Sequence, residues 1–323
     1  MELELSIIIP VLNEEKRINS CINSLLLQTY DLNKSEVIFV DGNSTDHTLS
    51  ILKDFQSKYQ FIKILNNPDK ITPKSMNIGI RESKGRFIIR LDAHSFYHED
   101  YIEKCVSFLK SHPDIDNVGG VAETQSYGYI GNSIAKVLSS RFGVGNSSFR
   151  VGGKGGKVDT VPFGCFRRTI FDKIGYFDER LLRSEDNEFN SRIIKNGGTV
   201  WLNPEIKFVY YGRDTISGLL SMALKNGNSL FWTMRIDKKS MKIRHFVPFL
   251  FLLSLCVLCS LCWIRVALDL LILEMSLYSL LNLFFSFILR KRRYGFLTFF
   301  LFPLFHLCYG VGSLLSLFFV KLY

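Results

Sequence analysis

The apolar positions of this chain change period from segment to segment. Leu5, Ile7, Ile8 and Ile9 form a nearly unbroken apolar run closed by Pro10, which predicts a strand covered on both faces; Ile18, Ile22, Leu25 and Leu26 then recur at helical spacing. The pattern repeats. Glu36 to Asp41 reads as a second strand, followed by a helix from about Thr45 with Leu49, Leu52 and Phe55 on one face. Phe61 to Leu65 reads as a third strand, Thr72 as the cap of a helix with Pro73 in its first turn, and Arg86 to Asp92 as a fourth strand. Strands that are mostly apolar throughout, alternating with helices, predict a Rossmann-like, mainly parallel α/β sheet with helices on both faces.

Past His245 the alternation stops. Phe246 to Ile264 and Tyr294 to Val320 carry no charge, and Val266 to Leu289 carries Asp269 and Glu274 near its start. Each run is long enough to cross a hydrocarbon core about 30 Å thick, and three in succession leave no polar face for a soluble bundle. An α-helical transmembrane module is expected here. Just before it, Ile216, Leu219, Leu220, Ala223, Gly227, Leu230, Phe231 and Met234 keep helical spacing, as an amphipathic helix lying on a membrane or packed on the preceding domain would. The expected organisation is an α/β domain over residues 1–213, an interfacial helix with a basic stretch over 214–245, and three transmembrane helices over 246–323.

Charge separates the same parts. The chain has 40 Lys and Arg against 30 Asp and Glu, a net +10, yet residues 246–323 hold 6 and 2 of these. Basic residues cluster before the first apolar run (Arg235, Lys238, Lys239, Lys242, Arg244) and between the second and third (Arg290 to Arg293), while the turn between the first two offers Arg265 alone. By the positive-inside rule both clusters belong on the cytoplasmic face, which places the N-terminal domain in the cytoplasm. The start, MELELSIIIP, lacks the basic n-region and cleavage site of a signal peptide and reads as a strand. Because the basic surplus is mostly juxtamembrane, it does not point to a nucleic-acid partner. The seven scattered cysteines include Cys256, Cys259 and Cys262, metal-like in spacing but inside an apolar run, where they read as packing; Cys21, Cys105 and Cys165 read as reduced thiols.

Polar residues suited to chemistry collect at strand ends. Asn13 and Glu14 follow the first strand, Asp41 closes the second with Gly42-Asn43-Ser44-Thr45-Asp46 behind it, and Asp92-Ala93-His94 closes the fourth. Open α/β sheets bind ligands at that edge, although Asp41 and Asp46 would also serve as turn and capping residues. Neither a G-x-x-x-x-G-K-[ST] loop nor a G-x-G-x-x-G after the first strand occurs. A diphosphate bound there would need a divalent cation, Mn2+ or Mg2+, held by Asp92 and His94. Further along, Ser184-Glu185-Asp186-Asn187-Glu188 opens a helix, where the acids either decorate an N-terminus or supply a carboxylate that removes a proton from a hydroxyl. Gly152 to Lys157 reads as a flexible loop, either a lid carrying Lys154 and Lys157 or a plain linker.

Ile7 to Glu14, Val40 to Asp46, Arg90-Leu91-Asp92-Ala93-His94 and Ser184 to Glu188, in that order, resemble family 2 glycosyltransferases of GT-A fold. Phe142-Gly143-Val144-Gly145-Asn146, Val158-Asp159-Thr160-Val161 and Gly164-Cys165-Phe166-Arg167-Arg168 narrow the resemblance to bacterial exopolysaccharide glucosyltransferases of the succinoglycan type, over about residues 5 to 215. The resemblance implies that Pro10, Asn13 and Glu14 flank the nucleoside of a UDP-sugar and that Asp41, with Asn43 in the same motif, meets the uracil edge. It implies that Asp92 and His94 form the metal and ribose site and that Asp186 is the catalytic base; the two adjacent acids leave Glu185 as the candidate for orientation. His94 departs from the Asp that most of the superfamily carries at that position, and imidazole is the poorer ligand for Mn2+ or Mg2+.

The activity implied is inverting transfer of a hexose, glucose from UDP-glucose, to a lipid-linked saccharide in cell-surface polysaccharide biosynthesis. The enzyme would be a multi-pass protein of the bacterial inner membrane, with polysaccharide assembly proteins as further partners. A processive Gln-x-x-Arg-Trp signature is absent, which favours one sugar per acceptor. Two alternatives stand beside this reading: a polyprenyl-phosphate sugar synthase, and a non-catalytic partner of a polysaccharide export complex. The intact set of Asp41, Asp92 and Asp186 argues against the second.

Overall fold

The computed structural model describes residues 3–288 and 292–318, with the side chain of Arg292 not described. The chain divides into two compact units. One runs to Glu123 and resumes over Gly152–Tyr210; the other takes Thr124–Val151 and everything from Tyr211 onward. The inserted segment Thr124–Val151, expected within the α/β domain, goes instead with the C-terminal helices, because its apolar residues are buried among them.

The first unit is built on a sheet of nine strands among the described residues: β1 Leu5–Val11, β2 Ser35–Asp41, β3 Ile62–Asn66, β4 Phe87–Arg90, β5 Ser95–Tyr97, β6 Asn117–Gln125, β7 Gly156–Lys157, β8 Cys165–Arg167 and β9 Val200–Tyr211. Their order is β3-β2-β1-β4-β8-β6-β9-β5, with β7 paired to β9. The first four strands are parallel, as the uninterrupted Val/Ile runs require, and every residue of β2 is buried. Burying each of its apolar side chains, Val37, Ile38, Phe39 and Val40, contributes about 1.5–3 kcal/mol. From β4 outward the pairings given by β8, β5 and β7 are antiparallel, so the sheet is mixed.

The antiparallel half has different sequence logic. In β6, Gly119 and Gly120 replace the expected apolar alternation because the chain is crossed at close range: a Cβ on Gly120 would stand 2.1 Å from the Ile206 carbonyl oxygen. The loop expected at Gly152–Lys157 is fastened at its far end, where Gly156 and Lys157 pair with Leu202 and Trp201.

Local chemistry sets the helix starts. The helix expected from Thr45 begins at Thr48, whose N–H is received by Asp46 Oδ1. The next runs Thr72–Glu82 with Pro73 in its first turn; Thr72 is its first residue and makes no side-chain cap. The Glu185–Lys195 helix is pinned from beneath by Phe189, which stacks on Phe177 at 4.4 Å and meets Phe171 and Phe166 at 5.1 and 5.5 Å. Asn190, buried on the same helix, accepts from Asn117 Nδ2 and donates to Thr160 Oγ1, which accounts for Thr160 in the Val158–Val161 motif. These contacts fix the helix whose first turn carries Glu185 and Asp186.

In the second unit, the Gly128–Leu138 and Ile216–Ile236 helices share a core with Gly295–Phe318 through Ile134, Val137, Leu138, Leu219, Met222, Ala223, Leu301, Phe302 and Phe305. Ile216–Ile236 approaches Gly295–Phe318 so closely that a Cβ on Gly227 would stand 2.0 Å from the Tyr309 oxygen, and one on Gly312 2.1 Å from the Leu224 oxygen. His306 Nε2 bonds the Phe142 carbonyl at 2.9 Å while its Nδ1 meets the Tyr278 hydroxyl, and Lys136 Nζ donates to the Ser286 carbonyl. Three helices here are long and apolar enough to cross a membrane: Ile243–Ser260, Arg265–Ile288 and Gly295–Phe318. Leu289, Arg290, Lys291, Phe319 and Val320, counted above with the apolar runs and the second basic cluster, lie outside the described residues.

Candidate active site

The register of the parallel strands brings the expected residues to one edge. Val11 lies level with Asp41 and Asp41 with Asn66, so the loops leaving β1, β2 and β3 rise side by side. The first two loops are laced together: Asn13 N–H donates to Ser44 Oγ, Asn13 Oδ1 accepts from Thr45 N–H at 2.8 Å, and Glu14 N–H donates to Thr48 Oγ1. Asp41 is buried and accepts from Ser44 N–H at 3.1 Å. Gly42 donates to the Val11 carbonyl at 2.7 Å, an approach that leaves a side chain little room.

Backbone conformation marks the same region. The non-glycine residues with positive φ include Asn13 (55°), Asn43 (62°), Lys70 (61°) and Ser184 (63°), each in a loop that reaches this edge or leads into the Glu185 helix. Such conformations cost of order 1 kcal/mol or more each and concentrate at functional sites.

The edge encloses a cleft of about 160 Å³ lined by residues including Pro10, Glu14, Lys70, Arg90, Asp92 and His94. Pro10, Glu14, Asp92 and His94 therefore meet as expected. Asn13, Asp41 and Asn43 do not line the cleft; Asn13 and Asp41 shape its rim, and Asn43 is exposed. Lys154 and Lys157 are also absent from its wall.

Asp92 is held by its backbone, whose N–H donates to the buried Tyr97 hydroxyl at 2.8 Å. His94 Nε2 lies 3.9 Å from Asp92 Oδ2, and His94 Nδ1 lies 3.3 Å from Glu14 Oε1. Burial works against the imidazolium, but the hydrogen bond to Glu14 and the charges of Asp92 and Glu14 outweigh it, so the pKa of His94 is raised. Among the described residues no cluster of three or more His, Cys, Asp and Glu side chains is arranged to hold an ion. The Asp92 carboxylate, with the remaining positions left to phosphate and water, fits Mg2+ or Mn2+, which take few protein ligands when they bind with a nucleotide; the His94 imidazole beside it suits them less well. The carboxylate of Glu14 behind the imidazole is the kind of support that ligating histidines carry.

Asp186 and Glu185 reach this edge through a residue the sequence reading passed over. Arg90, the last residue of β4, donates from Nη1 to Asp186 Oδ1 at 2.6 Å and to Glu185 Oε1 at 2.9 Å, and its Nη2 lies 3.6 Å from Asp92 Oδ1. Burial raises the pKa of Asp186, Arg90 opposes the rise, and Glu185 and Asp92 add to it; the balance leaves the group at about 7. A carboxylate poised there suits general-base work at neutral pH. Lys70 is a second residue not anticipated; it stands in the cleft wall just before the Thr72–Glu82 helix.

Known proteins resemble the chain in sequence and in fold. The family model for glycosyl transferase family 2 matches residues 6–175. A dolichyl N-acetyl-alpha-D-glucosaminyl phosphate 3-beta-D-2,3-diacetamido-2,3-dideoxy-beta-D-glucuronosyltransferase of Methanococcus voltae is 32% identical over 258 residues, 78% of this chain and 79% of that protein. Succinoglycan biosynthesis protein ExoA of Rhizobium meliloti is 30% identical over 209 residues, 64% of this chain and 63% of that protein. In fold, the chain is similar to a mannosyltransferase from Pyrobaculum calidifontis solved with GDP-Man and Mn2+, at a TM-score of 0.67 and 16% identity over 98% of this chain and 87% of that one. With the family model matched over more than half of the chain, and with Glu14 and Asp92 meeting in one cleft, this chain belongs to glycosyl transferase family 2.

Proposed function

We propose that this chain is an inverting hexosyltransferase that moves one sugar, glucose from UDP-glucose, to a lipid-linked saccharide during cell-surface polysaccharide synthesis. The observation that carries the reading is the pairing across Arg90: a carboxylate suited to deprotonation, Asp186, stands next to the strand end that holds Asp92 and His94. Asp186 takes the proton of the acceptor hydroxyl as that oxygen attacks the anomeric carbon, and the nucleoside diphosphate departs from the opposite face, so the configuration inverts. Glu185 shares Arg90 with Asp186 and orients it. Asp92 and His94 would hold a divalent cation, whose bound charge stabilises the departing diphosphate. The Mn2+ bound by the Pyrobaculum neighbour supports that cation. Pro10, Asn13, Glu14, Asp41 and Asn43 form the nucleoside side of the donor site.

A lipid-linked acceptor is supported by the Methanococcus relative, whose named acceptor is a dolichyl-linked sugar phosphate, and by the three long apolar helices. With basic residues preceding Ile243–Ser260 and Arg265 alone following it, the catalytic unit lies on the cytoplasmic side of the inner membrane.

The test is transfer by the full-length protein in membranes, given labelled UDP-glucose, UDP-N-acetylglucosamine, UDP-glucuronate or GDP-mannose and either extracted lipid-linked saccharides or bare polyprenyl phosphate. Divalent-cation-dependent transfer from UDP-glucose to the lipid-linked saccharides is expected. Preference for another donor would overturn the sugar, transfer to bare polyprenyl phosphate would favour a synthase, and no transfer from any donor would leave a non-catalytic role.

A further inference from the structure

Arg90 ends a strand whose other residues, Phe87, Ile88 and Ile89, are buried and apolar. A guanidinium placed there is stripped of water and needs anionic partners. Those partners come from two places: Glu185 and Asp186, about ninety-five residues away in sequence, and Asp92 just past the end of its own strand. Its Nε is buried and makes no hydrogen bond among the described residues, so the guanidinium is committed through its Nη atoms. Asp186 is held by one oxygen. Oδ1 accepts a hydrogen bond from Arg90 Nη1, and Oδ2 makes no hydrogen bond among the described residues.

We infer that Arg90 is the positioning residue for the catalytic base, fixing Asp186 through Oδ1 so that Oδ2 is the oxygen that receives the acceptor's proton. The inference rests on the reading of Asp186 as base. Two physical consequences separate it from a cation that only balances a buried acidic cluster. The first is directional: a planar guanidinium donates to Asp186 and Glu185 from a fixed nitrogen, whereas an ammonium offers a compact charge on a flexible stem. The second is electrostatic. The charged groups facing Asp186 are Arg90 from β4, Glu185 from its own helix and Asp92 beyond the strand end, and of these only Arg90 favours the ionised form. Arg90 is anchored in the strand that leads to Asp92, so the base is registered to the donor-binding strand itself.

The experiment compares wild type, Arg90→Met, Arg90→Lys and Asp186→Asn in the full-length protein, reading kcat, donor KM, UDP affinity by calorimetry and the pH profile of kcat at saturating divalent cation. For Arg90→Met the expectation is a kcat at least about 100-fold lower at pH 7 with UDP affinity within about fivefold, and an acid limb moved up by about one pH unit or more. Arg90→Lys is expected to regain about tenfold of that loss and to return the limb toward wild type. An unmoved limb, or a kcat within threefold of wild type, would overturn the inference, as would a loss of UDP affinity as large as the loss of kcat. If Arg90→Met is not recovered folded, Arg90→Lys decides: kcat reduced at unchanged UDP affinity supports the role, and wild-type kcat overturns it. Asp186→Asn separates the two levels. Wild-type turnover in Asp186→Asn would sink the base assignment itself, whereas an inactive Asp186→Asn beside an unaffected Arg90→Met would sink the role of Arg90 alone.

Discussion

Two titratable side chains at this edge are both shifted upward, for different reasons, and each yields a pH signature. Burial lifts Asp186 to about 7, so the fraction of ionised base rises from pH 6 to pH 8, and kcat at saturating cation should climb over the same interval. Asp186→Asn should lower kcat by about 10²–10⁴-fold while leaving UDP affinity within about threefold, because a base acts on the acceptor and not on the nucleotide. Turnover and calorimetry on one preparation check this; turnover close to wild type would refute it. The pKa of His94 is raised by its carboxylate neighbours, which keeps it protonated to higher pH, and the imidazolium cannot ligate. The divalent-cation concentration for half-activation should therefore rise as pH falls, and His94→Asp should flatten that dependence. Activation curves at several pH values would show it, and identical curves for the two proteins would remove His94 from the coordination shell. At this scale Asp92, His94, Glu185 and Asp186 were legible because acids at strand ends and in a first helical turn form recognisable patterns. Arg90 was not. A single arginine closing an apolar strand has no local explanation until residues ninety-five positions away are seen to face it.

The elements that carry these residues differ in how openly the sequence declares them. β1 to β4 could be read from their Val and Ile runs, and the helices between them from their spacing, with ends displaced by a few residues where Asp46 and Pro73 act. The antiparallel strands could not be read the same way. β6 carries Gly119 and Gly120, whose reason is an approach by Val161 and Ile206 that only the folded chain reveals, and β7 and β8 have two and three residues. The Ile216–Ile236 helix shows a related effect. Its helical period was plain, but its partner was not, since the deciding feature is Gly227 against the Tyr309 carbonyl. Replacing Gly227 by Val would force the two helices apart, and overpacking of this kind costs about 1–3 kcal/mol. Thermal unfolding of the detergent-solubilised protein should reveal a lower midpoint, and an unchanged midpoint would mean that the two helices do not meet at this position.

For the whole molecule, the charge pattern makes a prediction about sidedness. In a background with the native cysteines replaced, Cys at Lys238 and Cys at Arg265 should be labelled by an impermeant maleimide from opposite sides of the membrane, the former from the cytoplasmic side. Labelling of both from one side would refute a crossing by Ile243–Ser260. The division into units carries a consequence in time. A ribosome makes Thr124–Val151 early, before the helices that cover its apolar face exist: Lys136 waits for Ser286, 150 residues later, and Phe142 for His306, 164 residues later. At about 5–20 residues per second that interval is about 10–30 s, during which Ile134, Val137 and Leu138 lack the part of their core that Leu301, Phe302 and Phe305 supply. Ribosome-arrested chains that stop short of Gly295 should be cut by protease within Gly128–Val151, and chains long enough to release residue 318 should resist. Equal cleavage at both lengths would show that the segment finds its protection without the last helix. The polypeptide is thus expected to pass up to about half a minute of its synthesis with a lipophilic patch partly uncovered, a debt of synthesis order that a chaperone or the nearby bilayer would have to carry.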